Sequence, residues 1–263
     1  YRYVNRFTRP AVSILEDISE IIQRVGSSRY ISKFDAKSGY HQCPVKPEDR
    51  WLTAFVYDNQ IYQWKRVPFG MVGSGDTFVR ALRKVLRPIR TFTSSYVDDM
   101  AVHSNTWEKH LSDVDAYLRV IRDSGFTLGR SKCEFAKPSV KFVGHIIGSG
   151  LRRVDSEKID AAVRNLKEPE TKKQLRQILG FFSFWREYLP GFSQVAKPLT
   201  DLTSSKFPER IPFHQPERNA FDELKRLLCK AVENPLRIID PQKTVLDLCR
   251  CERVRCGGVF IST

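Results

Sequence analysis

Tyr96-Val97-Asp98-Asp99 sets two carboxylates side by side between apolar flanks. Phe92 to Val97 before it and Met100 to His103 after it read as strands, so Asp98 and Asp99 are expected at the bend of a hairpin. Aspartate is a common turn residue, and a polar turn accounts for the pair taken alone. Two ionised carboxylates this close repel, however, unless a metal ion or a base neutralises them. Upstream, Arg29-Tyr30-Ile31-Ser32-Lys33-Phe34-Asp35 reads as a buried strand ending on a third carboxylate, and Ala36-Lys37-Ser38-Gly39-Tyr40-His41-Gln42 follows it. Alone, Asp35 also suits an N-cap or a loop. Carboxylates from different strands, with a glycine that admits close backbone approach, are what a two-metal phosphoryl-transfer site needs, its cations about 3.5–4 Å apart. Magnesium takes oxygen ligands and keeps several waters, so three aspartates and a main-chain carbonyl suffice when substrate phosphates complete the shell.

The composition agrees with that chemistry. The chain has 263 residues and 41% hydrophobic content, enough for one large core or two to three small ones. A net charge of +14 suits a polyanionic partner, and nucleic acid more readily than an acidic small molecule. Arg80, Arg83, Lys84, Arg87 and Arg90 cluster in a stretch without an acid, and on a helix they form a broad basic side opposite Phe78, Leu82 and Val85. No run of eighteen apolar residues and no signal-peptide pattern is present, so neither a membrane span nor secretion is expected. The six cysteines, Cys43, Cys133, Cys229, Cys249, Cys251 and Cys256, show neither a secreted disulfide framework nor paired zinc spacing. Cys249, Cys251 and Cys256 are the one cluster, and no histidine stands near it.

Periodicity orders the chain. A first helix is expected from Ser13 to Val25, with Ser13 and Glu16 as a capping box and Ile14, Ile18, Ile21 and Val25 inward. Strands are expected at Leu52 to Val56 and Ile61 to Val67 around an Asp58-Asn59 turn. The basic helix follows Pro68-Phe69-Gly70 and ends at Pro88. Trp107, Leu111, Val114, Leu118 and Ile121 mark a helix covering the sheet. Further on, Ile159, Val163 and Leu166, then Leu175, Ile178, Phe182 and Trp185, form helical stripes, the second opened by Thr171 and Gln174. Thr203 to Pro216, rich in Ser, Pro and charge, reads as a linker. Mixed strands and helices followed by helices alone indicate an α+β unit with a helical appendage.

Four ordered motifs carry a resemblance. Phe34-Asp35-Ala36-Lys37-Ser38-Gly39-Tyr40-His41-Gln42, Val67-Pro68-Phe69-Gly70, Tyr96-Val97-Asp98-Asp99 and Phe142-Val143-Gly144-His145 resemble those of reverse transcriptases, above all in the Pol polyproteins of gypsy-type LTR retrotransposons. Tyr1-Arg2-Tyr3-Val4-Asn5 is similar to a fingers segment of that family, and Ser131-Lys132-Cys133-Glu134-Phe135 and Leu179-Gly180-Phe181-Phe182 with Tyr188 sit at family-like spacings. The resemblance covers essentially the whole chain.

It implies a right-hand polymerase: partial fingers and palm over 1–148, a helical thumb over 149–202, a linker or connection over 203–235 and the start of an RNase H-like domain over 236–263. It implies RNA-directed DNA polymerase activity on an RNA or DNA primer–template with dNTPs. Two Mg²⁺ ions, or Mn²⁺ in their place, would be held by Asp35, the Ala36 carbonyl, Asp98 and Asp99, and these three aspartates would be catalytic. Tyr40 would be the sugar gate, Phe69 and Gly70 would line the nucleotide pocket beside Ala36, and Lys132 would face the leaving pyrophosphate. Arg80, Arg83, Lys84 and Arg87, with the hairpin of Phe142, Val143, Gly144 and His145, would hold nucleic acid, although His145 also suits a structural role.

Three departures stand out. The basic fingers residues that precede the opening segment in the family are outside the chain, so other Pol domains are expected beyond it. Asp76 adds a negative charge expected to repel phosphates, and Arg250 stands where a first RNase H carboxylate is needed. A degenerate fragment that only binds nucleic acid is therefore the alternative, and an RNA-templated RNA polymerase is a third reading that Tyr40 argues against. An intracellular setting, in a cytoplasmic particle or the nucleus, is expected.

Overall fold

The computed structural model describes residues 1–9 and 15–238. In chain order its elements begin with α1 (Arg2–Phe7), α2 (Ile18–Gly26), β1 (Tyr30–Asp35), β2 (Phe55–Tyr57), β3 (Gln60–Tyr62), α3 (Ser74–Leu86), β4 (Thr93–Tyr96), β5 (Asp99–Ser104) and α4 (Trp107–Ser124). They continue with β6 (Glu134–Lys137), β7 (Val140–Phe142), β8 (His145–Gly148), β9 (Leu151–Val154), α5 (Ser156–Asn165), α6 (Lys172–Phe184), α7 (Phe192–Val195), α8 (Lys197–Asp201), α9 (Gln215–Glu233) and β10 (Leu236–Arg237).

An antiparallel sheet in the order β4-β5-β1-β6 is the centre of the molecule. Side chains alternate across a strand, so β1 serves two cores. Phe34 packs with Met100 and Val102 under Phe78 and Leu82 of α3 and Tyr117 of α4. Ile31 packs on the other face with Ala101, the α2 residues Ile21, Ile22 and Val25, and Phe142. Lys33 and Asp35 share that second face with Ile31, and Lys33 reaches a second antiparallel sheet, β10-β9-β8-β7, by donating to Lys141 O.

A third core is helical. Leu175 and Phe182 of α6 meet Leu199 of α8 and Phe221, Leu224 and Leu228 of α9. Thr171 and Gln174 form the expected capping box of α6. Among the described residues no helix is long and apolar enough to cross a membrane.

Several expectations are corrected. The helix expected from Ser13 begins at Ile18, because the Asp17 carboxylate takes the cap by accepting the Ser19 amide at 2.6 Å; Ser13 lies outside the described residues. Glu16 pairs with Arg24 at 2.7 Å instead. The β2–β3 hairpin turns at Asp58-Asn59 with φ of 48° and 53°, but residues 47–53 form a 3₁₀ turn, so its strands are shorter than expected. On α4 the inward face is His110, Asp113, Tyr117 and Ile121, while Trp107, Leu111 and Leu118 are exposed. The sheet offers polar partners there: His110 lies 2.7 Å from the Ser32 hydroxyl and 3.2 Å from that of Ser104, and Ser104 donates to Asp113 at 2.8 Å.

The stretch 203–235, expected as a linker or connection, includes the packed helix α9, and its first part is strapped to the helical core. Glu209 O accepts the Lys172 amide and Ile211 N donates to Glu170 O, strapping the segment to the start of α6. Pro216 sits in the first turn of α9, where a missing amide costs nothing, and His214 with Glu217 caps it. Leu236 and Arg237, expected to open a new domain, pair with Arg152 and Leu151 of β9. Residues 239–263 of that domain, with Arg250 and the cysteine cluster Cys249, Cys251 and Cys256, lie outside the described residues.

Candidate active site

The antiparallel register sets Asp35 opposite Asp99 and Tyr96 opposite Asp99. The two-residue loop is therefore Val97-Asp98, one position earlier than expected, and Asp99 already belongs to β5. Val97 takes the bend with a φ of 55°. Left-handed backbone costs a side-chain-bearing residue about 1–2 kcal/mol, more for a β-branched one, so the surroundings impose this turn. Its effect is to carry the exposed Asp98 into the space in front of Asp35.

That space is a cavity of about 1150 Å³ lined by Asp35, Ala36, Tyr40, Phe69, Asp98 and Lys132, among others. Its floor is built by two segments that pair backbone to backbone. The Gly129 amide donates to Asp35 O at 2.9 Å and the Lys37 amide to Thr127 O at 3.0 Å. Gln42 clamps them, its Nε2 donating to Lys37 O at 2.6 Å and Thr127 O at 2.9 Å while its Oε1 accepts the Thr127 amide at 2.7 Å. A Cβ on Gly129 would lie 3.3 Å from Asp35 Oδ2, so glycine is what lets this carboxylate sit where it does. Lys132 Nζ is 3.3 Å from the same oxygen.

Tyr40 forms the opposite wall. It sits in a 3₁₀ turn, Gly39–Gln42, with its ring 5.0 Å from Phe69 and 5.8 Å from Phe78. Gly39 is needed beneath it, since a Cβ there would meet the Phe78 ring at 3.0 Å. Gly70 does not line the cavity; it shapes the loop behind Phe69 with a φ of 85°, and Asn5 holds that loop by donating to Gly70 O at 2.8 Å and accepting the Val72 amide at 2.9 Å. Asp76 also lies outside the lining, in the first turn of α3, where the helix dipole favours a carboxylate.

Asp99 is differently employed from Asp35 and Asp98. One oxygen is 2.9 Å from Lys33 Nζ, and the other accepts the Val143 amide at 3.2 Å. Lys33 also donates to Lys141 O at 2.5 Å. The third carboxylate thus ties the Val97-Asp98 turn to the β7–β8 hairpin instead of facing the cavity. In that hairpin Phe142 and His145 are buried, so neither side chain is presented to nucleic acid; Val143 and Gly144, with φ of 46° and 80°, make the turn. His145 lies 3.0 Å from the Tyr188 hydroxyl and stacks on Phe184 and Tyr188. Burial, helped by Arg152, lowers its pKa to about 4, so it is a neutral structural histidine. On α3, Arg80 and Lys84 are exposed and Arg83 is half-buried, and Arg87, which caps the helix, is exposed.

The residues that sequence reasoning missed are Lys33, Gly129 and the cationic rim of Lys37 and Arg130. Lys33 had a signal: a lysine two positions before Asp35 in a buried strand shares its face. Among the described residues no group of three or more His, Cys, Asp or Glu is assembled to hold a metal. Two carboxylates and the Ala36 carbonyl at one cavity still fit magnesium, which binds through one or two carboxylates plus substrate phosphates.

Residues 3–147 match the family model of "Reverse transcriptase (RNA-dependent DNA polymerase)". The chain is 31% identical over 238 residues to the retrovirus-related Pol polyprotein from transposon gypsy of Drosophila melanogaster, covering 87% of this chain and 23% of that protein. It is 30% identical over 213 residues to the enzymatic polyprotein of cauliflower mosaic virus, covering 81% and 31%. Among solved structures, the foamy viral protease-reverse transcriptase in complex with dsDNA superposes with a TM-score of 0.80 at 27% identity, over 92% of this chain and 50% of that one. Its complex with RNA/DNA hybrid gives 0.75 at 27% identity, over 88% and 31%. The chain spans about a quarter to a third of the length of these curated relatives.

Proposed function

The chain belongs to the reverse transcriptase family, and from that premise we propose that it extends the 3′ end of a primer on an RNA or DNA template by nucleotidyl transfer from a dNTP. The observation that carries this is the convergence of Asp35, at the end of β1, and Asp98, in the β4–β5 turn, on one cavity walled by Tyr40 and Phe69. Two magnesium ions, or manganese in their place, held by these carboxylates, the Ala36 carbonyl and substrate phosphates, would supply an activated primer hydroxyl and neutralise charge on the leaving pyrophosphate. The chain's own residues then do the rest. Lys132, Lys37 and Arg130 line the rim as cations for the triphosphate. Tyr40 crowds the sugar, and Phe69 packs beside it against the incoming nucleotide. Asp99 positions the Val97-Asp98 turn through Lys33 and the Val143 amide and does not itself touch the reacting atoms. The basic side of α3 follows the phosphate backbone. In this reading residues 1–148 are palm with part of the fingers, and the helical module is the thumb.

Primer extension by an Asp98→Asn variant tests the proposal. Incorporation should be abolished while duplex binding and folding persist, because a nearly isosteric amide removes one charge from the cluster. Activity within about tenfold of the parent, a barrier change of only about 1.4 kcal/mol, would remove Asp98 from the catalytic role.

A further inference from the structure

A second cavity, of about 260 Å³, lies where the C-terminal turn of α3 meets the edge strand β4. It shares no lining residue with the catalytic cavity. Arg83 and Arg87 stand four residues apart and so face the same way, and Pro88 turns the chain in the 3₁₀ segment Arg87–Ile89 so that Arg90 joins them. Thr93, Ser94 and Ser95 of β4 complete the lining, the Thr93 hydroxyl donating to Ile89 O at 2.8 Å and the Ser94 hydroxyl accepting from Arg24 Nε at 3.1 Å. Glu16 is the single carboxylate of the lining, and Arg24 holds it at 2.7 Å. None of the three arginines forms an ion pair among the described residues. Arg80 and Lys84, on the same helix, are not in the lining.

Cations in a last helical turn complement the dipole by about 0.3–1 kcal/mol each. That accounts for basic residues on α3 but not for three arginines lining one cavity. The volume is below the roughly 300–1,000 Å³ of small-molecule pockets. Guanidinium forks around so small a space match the oxygens of one phosphate group. We propose that this cavity seats a backbone phosphate of the template–primer duplex. The proposal rests on the polymerase reading above. Ser95 precedes Asp98 by three residues, so the cavity lies within about 10 Å of the catalytic turn along β4. That distance is about three base-pair steps of duplex. A phosphate held there fixes the register of the duplex against the reacting end without reading its sequence.

The test is the salt dependence of duplex affinity, measured by fluorescence anisotropy with the full chain. Arg87→Ala/Arg90→Ala should lower the log–log slope by about 0.9 for the lost contact. Ser95→Glu, which leaves every arginine in place, should lower it by the same amount. Arg119→Gln/Arg122→Gln removes equal charge from the exposed face of α4 and should leave the slope unchanged. Equal flattening in the cavity and control variants would show a diffuse field and overturn the assignment. So would unchanged slopes in all of them. A thermal shift with inorganic phosphate separates the sources: stabilisation of the parent but not of Arg87→Ala/Arg90→Ala, with duplex slopes unaltered, would make this a free-phosphate site and refute the duplex. Expected slopes without primer extension by the parent would fail the polymerase reading and leave this cavity's role standing.

Discussion

Lys33→Met and Asp99→Asn, made singly and together, ask whether the Val97-Asp98 turn and the β7–β8 hairpin are one unit. The charges are 2.9 Å apart on side chains that are 17% and 26% exposed. At an effective dielectric constant of about 20 they attract by about 6 kcal/mol. Desolvation and side-chain ordering offset most of this, leaving about 1–2 kcal/mol for a pair between the exposed and the fully buried limits. Lys33→Met leaves the Asp99 carboxylate with the Val143 amide alone; Asp99→Asn leaves Lys33 with Lys141 O. Each single change should lower the unfolding free energy by about 1–2 kcal/mol, and the double change by little more than either, which is a coupling of about 1 kcal/mol. Urea denaturation at constant m-value reads the stability arm. Single-nucleotide incorporation reads the other, where each single variant should lose about tenfold as the turn loosens, with duplex affinity nearly unchanged. Additivity within about 0.3–0.5 kcal/mol in stability, or full activity in both singles, would refute the link.

Gly129→Ala should depress incorporation with little loss of stability, because its backbone (φ −78°) accepts alanine while the new Cβ presses on Asp35 Oδ2; parental kcat/KM would show that the carboxylate yields freely. Tyr40→Ala should raise rNTP use relative to dNTP as a ratio of kcat/KM values, and Tyr40→Phe should change little; an unchanged ratio in the alanine variant ends the gate assignment. Stability should fall on acidification from about pH 6.5 toward 4. His103 and His145 are each held by burial at a pKa of about 4, so the unfolded chain binds more protons than the folded one in that window. Stability then rises with pH by up to ~1.4 kcal/mol per pH unit per histidine. His145→Gln should shallow the profile, and identical profiles for parent and variant would contradict a neutral buried ring.

The strand ending at Asp35 and the hairpin ending at Asp98 were legible because alternation and chain reversal are local properties. The turn was misplaced by one residue because Val97, which local sterics argue against at positive φ, is held there by strand register. The apolar spacing of α4 misled for the opposite reason. His110 and Asp113 look like surface residues until Ser32, distant in sequence, and Ser104, at the end of the preceding strand, are seen to satisfy them. α9 was hidden by composition: the Pro216 and charges that read as a linker are a helix start followed by a polar outer face, and Phe221, Leu224 and Leu228 form its stripe. The role of Asp99 was illegible, because it depends on the Val143 amide of a hairpin that packs beside it only in three dimensions.

The β7–β9 sheet contributes Val140, Phe142 and Ile147 to one core and Val154 to another. Apart from that sheet and the aromatic nest around His145, the helical cluster draws its buried residues from α5 onward. Cores that meet along so narrow a seam open as separate cooperative units. Native-state amide exchange should therefore divide the chain, with amides of α6 and α9 sharing one opening free energy and those of β1 and β5 a higher one. Guanidinium at low concentration would melt the first set while Asp35 and Asp98 keep their positions on the large cavity.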